Sequence, residues 1–203
     1  MHSDILGKVL KHFTFMWVLT GIGLFTGSLL SPAIILPISI ITIILLIVSI
    51  FVRSIRLANI ISYALPFLIG ITLFWTTQFY IEELGAGLVF SVLIGTIAVF
   101  ILLGVVGMMI RDISSIGMYL FATLIVVFIF SIIFFFIPVS NTIMLVFAAI
   151  TVLLFVIYTV YDFNQIRHGH VQEHEAVRMA LNLYLDFINI FVNVLEVIWR
   201  LKD

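Results

Sequence analysis

Residues 181–200 read LNLYLDFINIFVNVLEVIWR, and six polar side chains in that stretch decide how the chain folds. Asn182, Asp186, Asn189, Asn193, Glu196 and Arg200 follow one another at offsets of 4, 7, 11, 14 and 18 from the first. At about 100° per residue all six fall within roughly an 80° arc of a single helix. The rest of that helix is Leu, Ile, Val, Phe, Tyr and Trp. A carboxylate inside an apolar membrane span costs roughly 2.5–3.5 kcal/mol. Such a stripe has to face other protein or a wet cavity, and not lipid.

Working outward, the 203-residue chain is 64% hydrophobic and 9% charged, with a mean hydropathy of +1.37. Soluble domains carry about 25% charged residues. The composition predicts an all-α, polytopic membrane protein with one transmembrane domain over residues 1–203 and the lipid bilayer as its first partner. A net charge of −1 without a basic cluster gives no footing for nucleic acid. Cysteine is absent, which excludes disulfides, thiolate metal sites and cysteine nucleophiles. The basic start (Lys8, Lys11) precedes a long apolar run with no small-residue cleavage site, so a retained first helix is expected.

Charged and turn residues cut the chain into seven spans: 13–30, 34–52, 57–80, 87–110, 115–137, 142–165 and 176–199. Ser31-Pro32, Glu82-Glu83 and Arg111-Asp112 mark three of the breaks. The uncharged run from Ile113 to Tyr161 is twice a single crossing, and the turn at Pro138-Val139-Ser140-Asn141 divides it. With the N-terminus inside, Lys8, Lys11, Arg53, Arg56, Arg111, Arg167 and Arg178 lie on the cytoplasmic side. Only Arg200 and Lys202 lie outside, against the rule, which leaves open a helix 7 that re-enters and returns. Gly23, Gly27, Gly104 and Gly107 sit at helix-packing spacing, and packing is the role expected of them. Trp17, Trp75, Tyr80 and Trp199 lie near predicted span ends, where interfacial anchors belong.

Helix 6 has a stripe of its own in Thr151, Tyr158, Asp162 and Gln165. Antiparallel packing of helices 6 and 7 would bring Asp162 and Asp186 to similar depth. Two carboxylates in contact at low dielectric cannot both ionise cheaply, so they share a proton and form a switch. The plainer alternative is two independent carboxylates, each hydrogen-bonded to Asn, Tyr or Gln. Arg53 closes helix 2 at the depth of Asp162 and can pair with it through charge-assisted hydrogen bonds; it also fits as one more basic residue obeying the inside rule. Asp186, Asn189, Asn193 and Glu196 trace a line of oxygen ligands about 15 Å long, suited to a hard cation such as Ca²⁺. The loop holding His168, His170 and His174 fits solvated residues that titrate near neutrality, and less readily a metal site.

The segments Tyr161-Asp162-Phe163-Asn164-Gln165-Ile166-Arg167-His168 and Leu183-Tyr184-Leu185-Asp186-Phe187-Ile188-Asn189, with Asn193, closely resemble the C-terminal signature of the transmembrane Bax inhibitor motif family, especially its bacterial members. Leu36-Pro37 and Gly70-Ile71-Thr72-Leu73 extend the likeness along the chain. The resemblance implies a seven-helix bundle with helix 7 central between two three-helix layers, and a pH-sensitive Ca²⁺ leak channel. Asp162 and Asp186 would be the sensor and transient Ca²⁺ contacts, with Arg53 the competing latch and Arg56 its near neighbour. Asn189, Asn193 and Glu196 would line the ion path. No cofactor is implied beyond the permeant Ca²⁺ and protons as effector, and no enzyme activity. The setting implied is a bacterial inner membrane with a cytoplasmic N-terminus and a monomer, its protein partners unknown. Glu196 stands where a bacterial relative has Arg, and Thr42 where that relative has a carboxylate, so the outer path would differ.

Other classes fit less well. Intramembrane aspartyl proteases also carry two aspartates on helices 6 and 7, but Leu183-Tyr184-Leu185-Asp186 lacks their Gly-x-Gly-Asp context. Retinal needs a lysine within helix 7, whereas Lys8, Lys11 and Lys202 are all terminal. A membrane scaffold that regulates partner proteins stays open.

Overall fold

Backbone turn chemistry, more than charge, ends the helices. The computed structural model describes residues 2–52 and 54–202. Seven α-helices follow one another: α1 (His2–Leu29), α2 (Ile35–Phe51), α3 (Ile55–Leu84), α4 (Ala86–Met109), α5 (Gly117–Phe136), α6 (Asn141–Arg167) and α7 (Ala176–Lys202). All seven are long and apolar enough to cross a membrane. No strand occurs among the described residues. Ser31 caps the short 3₁₀ turn Pro32–Ile34, and Ser140 caps α6 by accepting from the Ile143 N–H at 3.4 Å. Both breaks fall where the sequence puts them.

Three boundaries differ. α1 starts at His2, so Lys8 and Lys11 lie on the helix and not before it. α3 runs through Glu82 and Glu83 to Leu84, with Gln78 bonded to Glu82 at 3.1 Å, and stops at Gly85 with φ of 89°. α7 runs unbroken to Lys202, leaving no turn at which it could double back. Charges mark where hydrocarbon ends, whereas a helix continues until its backbone hydrogen bonds fail.

The chain forms two compact units, each taking part of α7. In the first, α1–α3 assemble with Val171–Tyr184. Gly23 and Gly27 meet α3 with almost no clearance: a Cβ on Gly23 would strike the Phe67 carbonyl, and one on Gly27 would lie 2.7 Å from the Ile71 carbonyl. Gly70 answers from α3, where a Cβ would strike the Thr20 carbonyl. Three glycines thus bring two backbones together, as small residues do between membrane helices. Tyr184 is fully buried, bonded to the Thr20 hydroxyl at 2.7 Å and edge-on to Trp17 at 5.4 Å. Tyr80 and the Trp75 Nε1 are buried too.

In the second unit, α4–α6 assemble with the remainder of α7 from Leu185. Gly104 lies under the Phe163 ring, and a Cβ on Gly107 would come within 2.5 Å of the Val160 carbonyl. Phe100 stacks edge-on to Phe163 and to Phe187, at 5.8 and 5.4 Å. Leu120, Val127 and Leu154 form a smaller core between α5 and α6. Half of the most apolar stretch of α7 is buried, against 11% for α2 and for α5. Those two helices expose Ile, Leu, Val and Phe along their length, a surface suited to lipid.

Candidate functional site

α6 and the second part of α7 place Asp162 and Asp186 inside one unit, each 3% exposed. They lie near enough for the charge of Asp162 to act on Asp186, and both charges act on Tyr158. The Thr159 hydroxyl bonds the Asp186 carboxyl and also donates to the Phe155 carbonyl at 2.8 Å. Having one proton, it can meet the carboxyl only as an acceptor while that second bond stands. The Oδ2 atoms of Asp162 and Asp186 and the Nε2 of Gln165 are buried and have no hydrogen-bond partner among the described residues. Neither aspartate makes an ion pair among those residues. Unsatisfied buried polar atoms cost about 1–3 kcal/mol each, so their clustering calls for a proton, water or an ion. Arg53, the expected latch, lies outside the described residues; Arg56 is exposed at the start of α3.

Further along α7, the Asn189 amide donates to the Leu185 carbonyl at 2.8 Å and the Asn193 amide to the Asn189 carbonyl at 2.9 Å. Both are half-buried and turn donor hydrogens back onto their own helix. Glu196 accepts from Arg200 Nε at 2.6 Å, so the acidic group expected on an ion path carries a counter-charge one turn away. Arg200 also donates to Asn141 Oδ1 at 2.8 Å, and Asn141 Nδ2 donates to the Arg200 carbonyl at 3.1 Å. This clasp joins the start of α6 to the end of α7.

Asn164, quoted above only as part of a motif, proves to be a helix cap. Its amide nitrogen, fully buried, contacts the carbonyls of Gly107, Ile110 and Arg111 at 3.1, 3.4 and 3.0 Å. Its Oδ1 accepts from the Ile113 N–H at 3.0 Å. The C-terminal carbonyls of α4, left without helical donors, are thereby satisfied from α6. The signal in the sequence was a lone amide on the face of α6 opposite the Asp162 stripe, at the level of the α4 glycines.

The histidine loop is tied to the same turn. His170 Nε2 lies 2.8 Å from Asp112 Oδ2, and His168 Nε2 lies 3.3 Å from the Ile110 carbonyl. Asp112 also accepts from the Ser114 N–H at 2.8 Å. That backbone bond, then the His170 bond, holds the Asp112 carboxyl down at about 2. Among the described residues no group of three or more His, Asp or Glu could hold a metal ion.

Sequence comparison covers nearly the whole chain. The family model "Inhibitor of apoptosis-promoting Bax1" matches residues 2–202. A Helicobacter pylori protein is 33% identical over 142 residues, 70% of this chain and 60% of that one. The Bax inhibitor 1 of Schizosaccharomyces pombe is 35% identical over 92 residues, 45% of this chain and 34% of its own. Protein LIFEGUARD 1 of Arabidopsis thaliana is 30% identical over 88 residues, 43% of this chain and 37% of its own. The chain thus aligns over about three fifths of the length of its bacterial relative and less of the eukaryotic ones. Seven membrane-length helices, the two aspartate motifs and a family match from one end to the other agree: this chain belongs to the Bax inhibitor family of membrane proteins.

Proposed function

We propose that this chain is a passive Ca²⁺ leak gated by protons, with Asp162 and Asp186 as the sensor. The observation that supports the reading is a pair of carboxylates buried at 3% exposure on neighbouring helices, each with an oxygen that has no hydrogen-bond partner among the described residues. Two unit charges 4 Å apart at an effective dielectric of 20 repel by about 4 kcal/mol, and a shared proton removes that repulsion. Loss of the proton leaves two negative groups that must separate, recruit a cation or admit water. Each of these changes how α6 and α7 pack.

Arg53, two positions before the first residue of α3 in the sequence, is the cation we assign to Asp162 in the latched state. α7, the most buried of the seven spans, is the helix we place at the centre of the bundle, with the path running along it. The amides of Asn189 and Asn193 spend donor hydrogens on the backbone, which leaves their oxygens for a hard cation. On this reading the N-terminus is cytoplasmic and the host is a bacterial inner membrane, where the basic residues in the first turns of α1 and after α2 face anionic lipid.

The test is Ca²⁺ entry into liposomes loaded with a Ca²⁺ indicator, followed across pH. Wild-type flux should change with pH, whereas Asp162→Asn and Asp186→Asn should each give a nearly flat profile. A pH response that survives in both variants removes the sensor. Absence of Ca²⁺ entry from the wild type at every pH removes the channel.

A further inference from the structure

A cleft of about 620 Å³ opens along the middle of α1, lined by Lys11, His12, Thr14, Phe15 and Val18 together with Tyr63 of α3. We propose that it binds an anionic phospholipid, its phosphate held by Lys11 and His12 and one acyl chain laid along Phe15 and Val18. After Lys11 the next Lys, Arg, Asp or Glu in the sequence is Arg53. Lys11 therefore marks the level at which α1 passes from headgroups into hydrocarbon. Phe15 and Val18 follow at i+4 and i+7 on the same face, about 6 and 10 Å deeper. They are 49% and 53% exposed, an apolar strip directly below a cation.

Charge and hydrogen-bond chemistry at the mouth select the headgroup. Lys8, one turn earlier, is neutralised by Glu173 at 2.6 Å, whereas Lys11 is exposed and makes no ion pair among the described residues. The Tyr63 hydroxyl lies 2.8 Å from His12 Nδ1. When the phenol donates in that bond the ring proton sits on Nε2, which makes His12 a donor to an anionic oxygen. Tyr63 is held edge-on to Phe15 at 5.5 Å, so the polar mouth and the apolar floor form one wall. A zwitterionic lipid brings its own ammonium against Lys11, and an anionic lipid does not. One basic residue near an anionic surface is worth about 1 kcal/mol, or roughly fivefold in occupancy.

Native mass spectrometry of the full chain, released from micelles holding equal phosphatidylglycerol and phosphatidylcholine, tests this. The wild type should retain phosphatidylglycerol about fivefold over phosphatidylcholine, and Lys11→Gln should bring the two to parity. Val18→Trp, which fills the floor, should lower retention of both. Lys202→Gln, at the far terminus, should leave the preference intact. Equal retention by the wild type, an unchanged preference in Lys11→Gln, or an equal loss in Lys202→Gln would each overturn the site. Displacement by an equal concentration of glycerol phosphate, or a Val18→Trp that retains lipid fully, would overturn the lipid as occupant and leave an anion site only.

Discussion

Asp162 and Asn164 stand two residues apart on α6, equally hidden, and their polar atoms have opposite fates. Asn164 meets three carbonyls and one N–H. Asp162 keeps an oxygen with no partner among the described residues and has a second carboxylate for a neighbour. The same contrast recurs on α7: Glu196 is matched by Arg200 at 2.6 Å, whereas Asp186 lies near Asp162. Satisfied groups such as Asn164 and Glu196 stabilise one arrangement. A buried group left unsatisfied is where the chain can respond to solution conditions, because a proton or ion bound there changes the charge of a site at low dielectric.

That contrast can be broken by thermal unfolding of the protein in detergent. The largest loss is expected for Asn164→Leu, about 3 kcal/mol, because the Gly107 and Arg111 carbonyls and the Ile113 N–H lose their Asn164 partner together. Arg200→Ala should come next, at about 2 kcal/mol, since it removes the Nε bond to Glu196 where the pair is only 14% and 20% exposed, together with the Asn141 clasp. Asp162→Asn should cost less than about 1 kcal/mol or stabilise, because its amide can donate to Asp186 and ends the repulsion. A loss there as large as that of Asn164→Leu would mean Asp162 is a structural group like its neighbour.

The smallest effect belongs to the exposed turn. Asp112 titrates near 2 in the folded chain against 3.8 ordinarily, so its contribution is present above 3.8 and disappears as pH falls toward 2. His170→Ala should move its midpoint only partway back up, because the Ser114 N–H still donates; carboxyl-carbon NMR of labelled Asp would read it.

Helix number and break positions were legible because Ser31-Pro32 and the Pro138–Asn141 turn carry backbone chemistry that no apolar run hides. Helix lengths were less so, since Glu82, Glu83 and Lys202 are compatible with helix beyond the hydrocarbon. The stripe at Asp186, Asn189, Asn193 and Glu196 was visible as one face, but periodicity does not say which donor meets which acceptor. Arg200, read from the sequence as an outlier to the inside rule, is bound up in the clasp with Glu196 and Asn141. Asn164 was obscured because its partners lie at the end of α4 and just beyond it, more than fifty residues away in sequence.

The Asn164 cap has a mechanical corollary. It bolts the end of α4 to α6 a few ångströms from Asp162, and the Asp112–His170 contact fastens the following turn to the chain just after α6. Any shift of α6 that follows proton loss would drag the 110–114 turn along as a lever. Spin labels on that exposed turn would then report, at the protein surface, an event at two acids sealed within the protein.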